Sequence, residues 1–120
     1  MKAPDPKVHK IILQAIDEMR LLRFIFGGKE RIAEPHDYGI YQGLIRLFSY
    51  QIGGQSTTGP LPAWRLMEVA KMSEVEMLDQ TFPGSRGDSS QQHRQWDQLF
   101  ARVGKVKEAA ESEPRLPNKP

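Results

Sequence analysis

Two adjacent glycines, Gly27 and Gly28, separate two strand-like runs and constrain the fold more than any other feature of the sequence. On one side, residues 21–26 (LLRFIF) are dense in the branched and aromatic side chains that suit a pleated, half-buried surface. On the other, residues 31–41 (RIAEPHDYGIY) read as a second strand, bent at Pro35 because proline has no N–H to give a central ladder. A glycine pair supplies the positive φ of a tight hairpin turn, so the spacing predicts an antiparallel hairpin turning at Gly27 and Gly28. Residues 44–52 (LIRLFSYQI) then alternate, with Ile45, Leu47 and Ser49 on one face and Leu44, Arg46, Phe48 and Tyr50 on the other. Neither face is wholly polar, which suits a small curled sheet.

The flanks complete the outline. Asp5 can cap a helix whose first position is Pro6, and Val8, Ile11, Ile12, Ala15, Ile16 and Met19 form one apolar stripe at three- and four-residue spacing. Residues 53–62 (GGQSTTGPLP) form a loop, residues 63–69 (AWRLMEV) a strand, and residues 70–82 a turn of helix with one short closing strand. Trp96, Leu99, Phe100 and Val103 are spaced as the face of a C-terminal helix, while residues 111–120 carry proline and charge with little to bury and read as a disordered tail. The expected class is α+β: an N-terminal helix, a small barrel of about five strands and a C-terminal helix. The expected organisation is a helix-plus-barrel domain over residues 1–86, a helix over 87–110 packing on the barrel or on a partner, and the tail.

Composition narrows function. The 120 residues carry 17 basic and 15 acidic side chains, a net charge of +2, so attraction to a polyanion has to be local. With no cysteine there is no disulfide, thiolate nucleophile or zinc-thiolate site. The N-terminal residues MKAPDPKVHK lack an apolar signal core and no apolar run reaches spanning length, so a soluble cytoplasmic protein without membrane contact is expected. His9, His36 and His93 have no companions at ligand spacing, and no metal or cofactor is expected. His36 follows Glu34 and Pro35, yet no serine or second acid is placed to complete a catalytic geometry, which predicts a protein that is not an enzyme. Phe24, Phe26, Phe48, Trp64 and Phe82 are read as packing.

Five pieces in order carry a resemblance: Ala15 with Ile16 ending the helix, Phe24 and Phe26 in the first strand, Arg31 before Glu34 and Pro35, Leu47 with Tyr50, and Trp64–Arg65–Leu66. Over residues 8–86 this order resembles the WYL domain, a helix followed by an Sm-like, SH3-type β-barrel. In place of the tripeptide that names the family stand Ile45, Arg46 and Leu47, which keep its final leucine. The resemblance implies a ligand-sensing domain of bacterial regulators, recognising a nucleotide, short single-stranded nucleic acid or similar anion, with Arg31 and Arg65 at basic positions of its pattern. Arg46 is this sequence's own substitution. Arginine grips phosphate through a planar donor fork, a tyrosine such as Tyr38, Tyr41 or Tyr50 offers a stacking face, and backbone amides around Ser56 could add donors. The expected ligand-binding set is therefore Arg46, Arg65, Arg31, Tyr50 and Ser56, gathered on one barrel rim. The bland readings stay open beside it: Arg46 and Arg65 paired with Glu34 or Glu68, Arg31 holding Glu34 or capping a strand edge, and residues 53–59 as a plain hairpin loop. A rival function is a protein-interaction module, or assembly subunit of a regulatory complex, that joins a protein partner or a second copy of the chain.

Overall fold

The computed structural model describes residues 5–55, 60–85 and 95–104. Helix α1 (Pro6–Glu18) begins as its sequence demands: the Asp5 carboxylate accepts from the Lys7 amide at 2.8 Å, and proline occupies the first turn. Met19 closes it in the left-handed region at φ 54°, donating its N–H back to Ala15 and Ile16. Ile12, Ala15 and Ile16 are the buried stripe.

Strands β1 (Arg20–Phe26) and β2 (Lys29–Tyr41) form the expected hairpin, with Phe26 opposite Lys29 and both turn glycines at positive φ, +63° and +75°. Strand β3 (Leu44–Gly54) pairs along β2, β4 (Ala63–Glu68) pairs with β3, and a single 3-10 turn (Val69–Lys71) leads into β5 (Met72–Thr81), which returns to β1. The described strands make one antiparallel sheet in the order β4-β3-β2-β1-β5. Strand β5, at ten residues, is longer than the short closing strand expected.

The predicted C-terminal helix is corrected by the structure. Gln98–Arg102 are a strand, β6, that pairs with residues 37–40 of β2. A register shift on β6 between Leu99 and Ala101 places Phe100 out of step, so the apolar residues fall at three- and four-residue spacing without any helix. Ladder bonds to β2 outweigh a helical period that was only apparent. The rest of that predicted helix, residues 87–94 and 105–110, and the tail lie outside the described residues.

Strand β2 serves two sets of neighbours because it changes partners at a bend. Residues 29–33 pair with β1 and residues 37–40 with β6, while the register with β3 slips between Pro35 and Asp37, where proline has no N–H to contribute. Asp37, fully buried, receives the Arg102 guanidinium as a fork, Nε to Oδ1 at 2.9 Å and Nη2 to Oδ2 at 3.2 Å. Gly39 lets β6 come close, because a Cβ there would lie 2.2 Å from the Gln98 carbonyl oxygen.

The core lies between α1 and the inner face of the sheet, where Ile12, Ala15 and Ile16 meet Leu22, Phe24, Ala33, Tyr38, Leu47 and Met67. The Tyr38 hydroxyl hydrogen-bonds His9 Nδ1 at 2.7 Å, and burial pushes the phenol's pKa up to about 12. Among the described residues no helix is long and apolar enough to cross a membrane.

Removing the partner of a buried carboxylate strands its charge. Arg102→Ala is therefore expected to cost about 2–4 kcal/mol in urea unfolding, with Arg102→Lys recovering only part because the fork is lost.

Candidate functional site

Strand register divides the expected ligand residues between the two faces of the sheet. In an antiparallel ladder, residues directly opposite share a face and neighbours along a strand alternate. Ser49 stands opposite Pro35 and Arg65, Gln51 opposite Ala33 and Ala63, and Leu47 opposite Tyr38 and Met67, which sets Ser49, Gln51 and Arg65 on the core face. Arg31 joins them, since its β1 partner is the buried Phe24. Arg46 stands opposite Gly39 and Glu68, and Tyr50 opposite Glu34 and Trp64, on the outer face. The structure thus brings Arg31 and Arg65 together, and it places Arg46 and Tyr50 on the other side. Ser56 lies outside the described residues.

The core-face group is polar at one end of an otherwise apolar layer. Arg31 is 8% exposed, and its fork donates to the Phe26 carbonyl from Nε at 3.3 Å and Nη2 at 3.1 Å, and to Gln51 Oε1 from Nη1 at 3.2 Å. Capping the end of β1 in this way is one of the two structural roles open to it from sequence; the other, holding Glu34, is not what its bonds do. All these acceptors are neutral, and the three bonds leave two of the five guanidinium N–H groups unused. Gln51 is held in turn, its amide donating to Gly53 O at 3.0 Å and Gln55 O at 2.9 Å. Burial lowers the pKa of Arg31, and the charge of Arg65 lowers it further, so two guanidiniums act on each other here. The hydroxyl of Ser49, fully buried opposite Arg65, has no hydrogen-bond partner.

The outer face carries the aromatic residues. Phe48 and Trp64 stack at 4.8 Å with planes 8° apart, and Tyr50 tilts onto Trp64 at 4.8 Å. Trp64, expected in the core, is half-buried because this outward stack is its packing. Arg46 lies over the Tyr41 ring at 6.0 Å and stands opposite Glu68 in the ladder, while the Glu68 carboxylate is 3.7 Å from Lys71 Nζ.

At the β2 bend His36 is fully buried, its Nε2 donating to Glu34 Oε1 at 3.1 Å and its ring packed against Trp64 and Phe82. Among the described residues, neither His36 Nδ1 nor Ser49 Oγ has a hydrogen-bond partner. Among the described residues no group of histidines and carboxylates is arranged to hold a metal ion.

No protein-family model, curated protein or solved structure matches the chain.

Sequence reasoning missed Ser49 and Gln51 as members of the arginine group. The signal was present: along 45, 47, 49 and 51, the alternation carries polar side chains onto the apolar face. Since the Ser49 hydroxyl is buried without a partner, Ser49→Ala is expected to leave stability unchanged or raise it by up to about 1 kcal/mol in urea unfolding.

Proposed function

We propose that this chain is a non-enzymatic binding domain for an anionic ligand, a nucleotide or a short single-stranded nucleic acid, whose phosphate is taken by Arg31, Arg65 and Ser49 on the core face of β2, β3 and β4. The observation that carries the reading is Arg31 itself: a guanidinium buried to 8% exposure that, among the described residues, is hydrogen-bonded only to neutral acceptors, beside a second guanidinium and a buried hydroxyl with no described partner. Two forked cations and a hydroxyl match the oxygens of a phosphate, and a site already stripped of water strengthens each contact. The resemblance to WYL domains supports the same reading, since Arg31 and Arg65 fall at basic positions of that pattern. The strand order β4-β3-β2-β1-β5, with a 3-10 turn before β5, agrees with the Sm-like, SH3-type barrel that the resemblance implies. In this reading the chain senses its ligand and leaves the response to other components of a bacterial regulatory system.

A protein-interaction module is the second reading, and one observation favours it. Leu44 and Ile52, both on the outer face of β3, and Leu99 of β6 are 37%, 40% and 39% exposed, more apolar surface than a face turned only to water needs.

The two separate in a binding assay. Fluorescence polarisation with labelled adenosine nucleotides and short oligothymidylates is expected to show binding that weakens as salt is raised, because phosphate contacts release counterions. Arg65→Ala is expected to weaken it about tenfold or more, and Ser49→Ala several-fold, with the circular dichroism of both unchanged. Absence of binding in the folded wild type, or binding indifferent to Arg65→Ala, overturns the anion reading.

A further inference from the structure

The anion site leaves one corner of the outer face unused. There Tyr41 ends β2, Arg46 lies over its ring at 6.0 Å, and Trp96 packs against the same ring at 5.4 Å with the planes tilted by 58°. The next residue pins the corner in place, the Asp97 amide donating to Ile40 O at 2.8 Å and its carboxylate accepting from the Gly43 amide at 2.9 Å. Leu44 stands opposite Tyr41, and Leu99 opposite Gly39, the ladder neighbour of Arg46. Two donors of this corner, Arg46 Nε and Trp96 Nε1, are buried and have no acceptor among the described residues. A donor buried without an acceptor is costly, and an incoming acceptor would recover that cost. Both belong to half-buried side chains.

The chemistry of the corner selects its occupant. Glu68 stands opposite Arg46 in the ladder, so a polyanion gains little charge attraction here. Flat aromatic faces, exposed leucines and an indole N–H suit an extended segment in the polyproline conformation, whose rings lie on aromatic side chains and whose carbonyls have no internal hydrogen bonds. This chain carries such a sequence: prolines recur at 114, 117 and 120, the three-residue repeat of that helix. Length permits the contact. Ten residue steps separate Gly104 from Pro114, a reach of up to ~33 Å, whereas the eight steps of chain from Gly104 back to Trp96 span at most ~26 Å.

We propose that the Tyr41–Arg46–Trp96 corner is a docking site for a segment with prolines three residues apart, and that residues 114–120 of this chain are its occupant. The corner is separate from the Arg31–Arg65 site, and the proposal stands whether or not that site takes an anion.

The indole N–H signals of the two tryptophans, read by NMR on the full chain and assigned with Trp96→Phe, test it. Relative to the wild type, the Pro114→Ala/Pro117→Ala variant is expected to move the Trp96 signal while that of Trp64 stays in place. A synthetic peptide of residues 111–120, added to that variant, is expected to return the Trp96 signal toward its wild-type position. In the same background Trp96→Phe is expected to weaken the labelled peptide about tenfold, the value of one lost hydrogen bond. Superimposable Trp96 signals in wild type and variant, or peptide binding indifferent to Trp96→Phe, overturn the proposal. So does a shift of Trp96 produced by an oligonucleotide and not by the peptide.

Discussion

The ion pair between Asp37 and Arg102 is the contact on which the arrangement of this domain turns. A carboxylate with no exposure is costly unless answered by a forked cation, and the only described cation bonded to it comes from the far end of the chain. The pair exists because β2 slips register between Pro35 and Asp37, leaving β1 behind and offering residues 37–40 to a new strand. One bend therefore decides both the sheet's branching and the burial of the charge that fastens β6. Gly39 completes the arrangement by letting the β6 backbone come within the space a side chain would fill.

The same register sorts the charges. Ser49, Gln51 and Arg65 turn inward with Arg31, whereas Arg46, Phe48 and Tyr50 turn outward, although all of them lie within two adjacent strands and the edge of a third. The inner group is a concentration of positive charge in a layer otherwise filled by Leu47, Met67 and Phe24, and the described hydrogen-bond acceptors of Arg31 are neutral, its guanidinium lying over the Phe26 ring at 5.5 Å. The outer group is aromatic, with Glu68 opposite Arg46 in the ladder. Two faces of one small sheet thus differ in chemistry: guanidinium and hydroxyl groups at one end of the inner face, aromatic rings on the outer.

Much of this was legible in the sequence, and the rest was hidden for identifiable reasons. The Asp5–Pro6 start of α1, the Gly27–Gly28 turn and the alternation of β3 are local signals, each with one physical solution, and each appears as read. The bend at Pro35 was equally local. Strand β6 was not, because the slip at Phe100 makes a strand imitate a helix face and only the free edge of β2 reveals its true partner. The grouping of arginines failed for a related reason: a loop can bring two strands side by side, but only register says which face each side chain occupies, and an offset of three positions sets Arg46 and Arg65 back to back. Trp64 looked like core because large aromatics usually are; here it covers Phe48 from outside.

The most direct measurement of the central claim is an NMR titration of the arginine Nε–H signals of the full chain with adenosine 5′-monophosphate and a short oligothymidylate. The account predicts that the signals of Arg31 and Arg65 move together and saturate while that of Arg46 stays in place. Movement of Arg46 with Arg31 and Arg65 unaffected would contradict it, and would place the anion on the opposite face of the sheet.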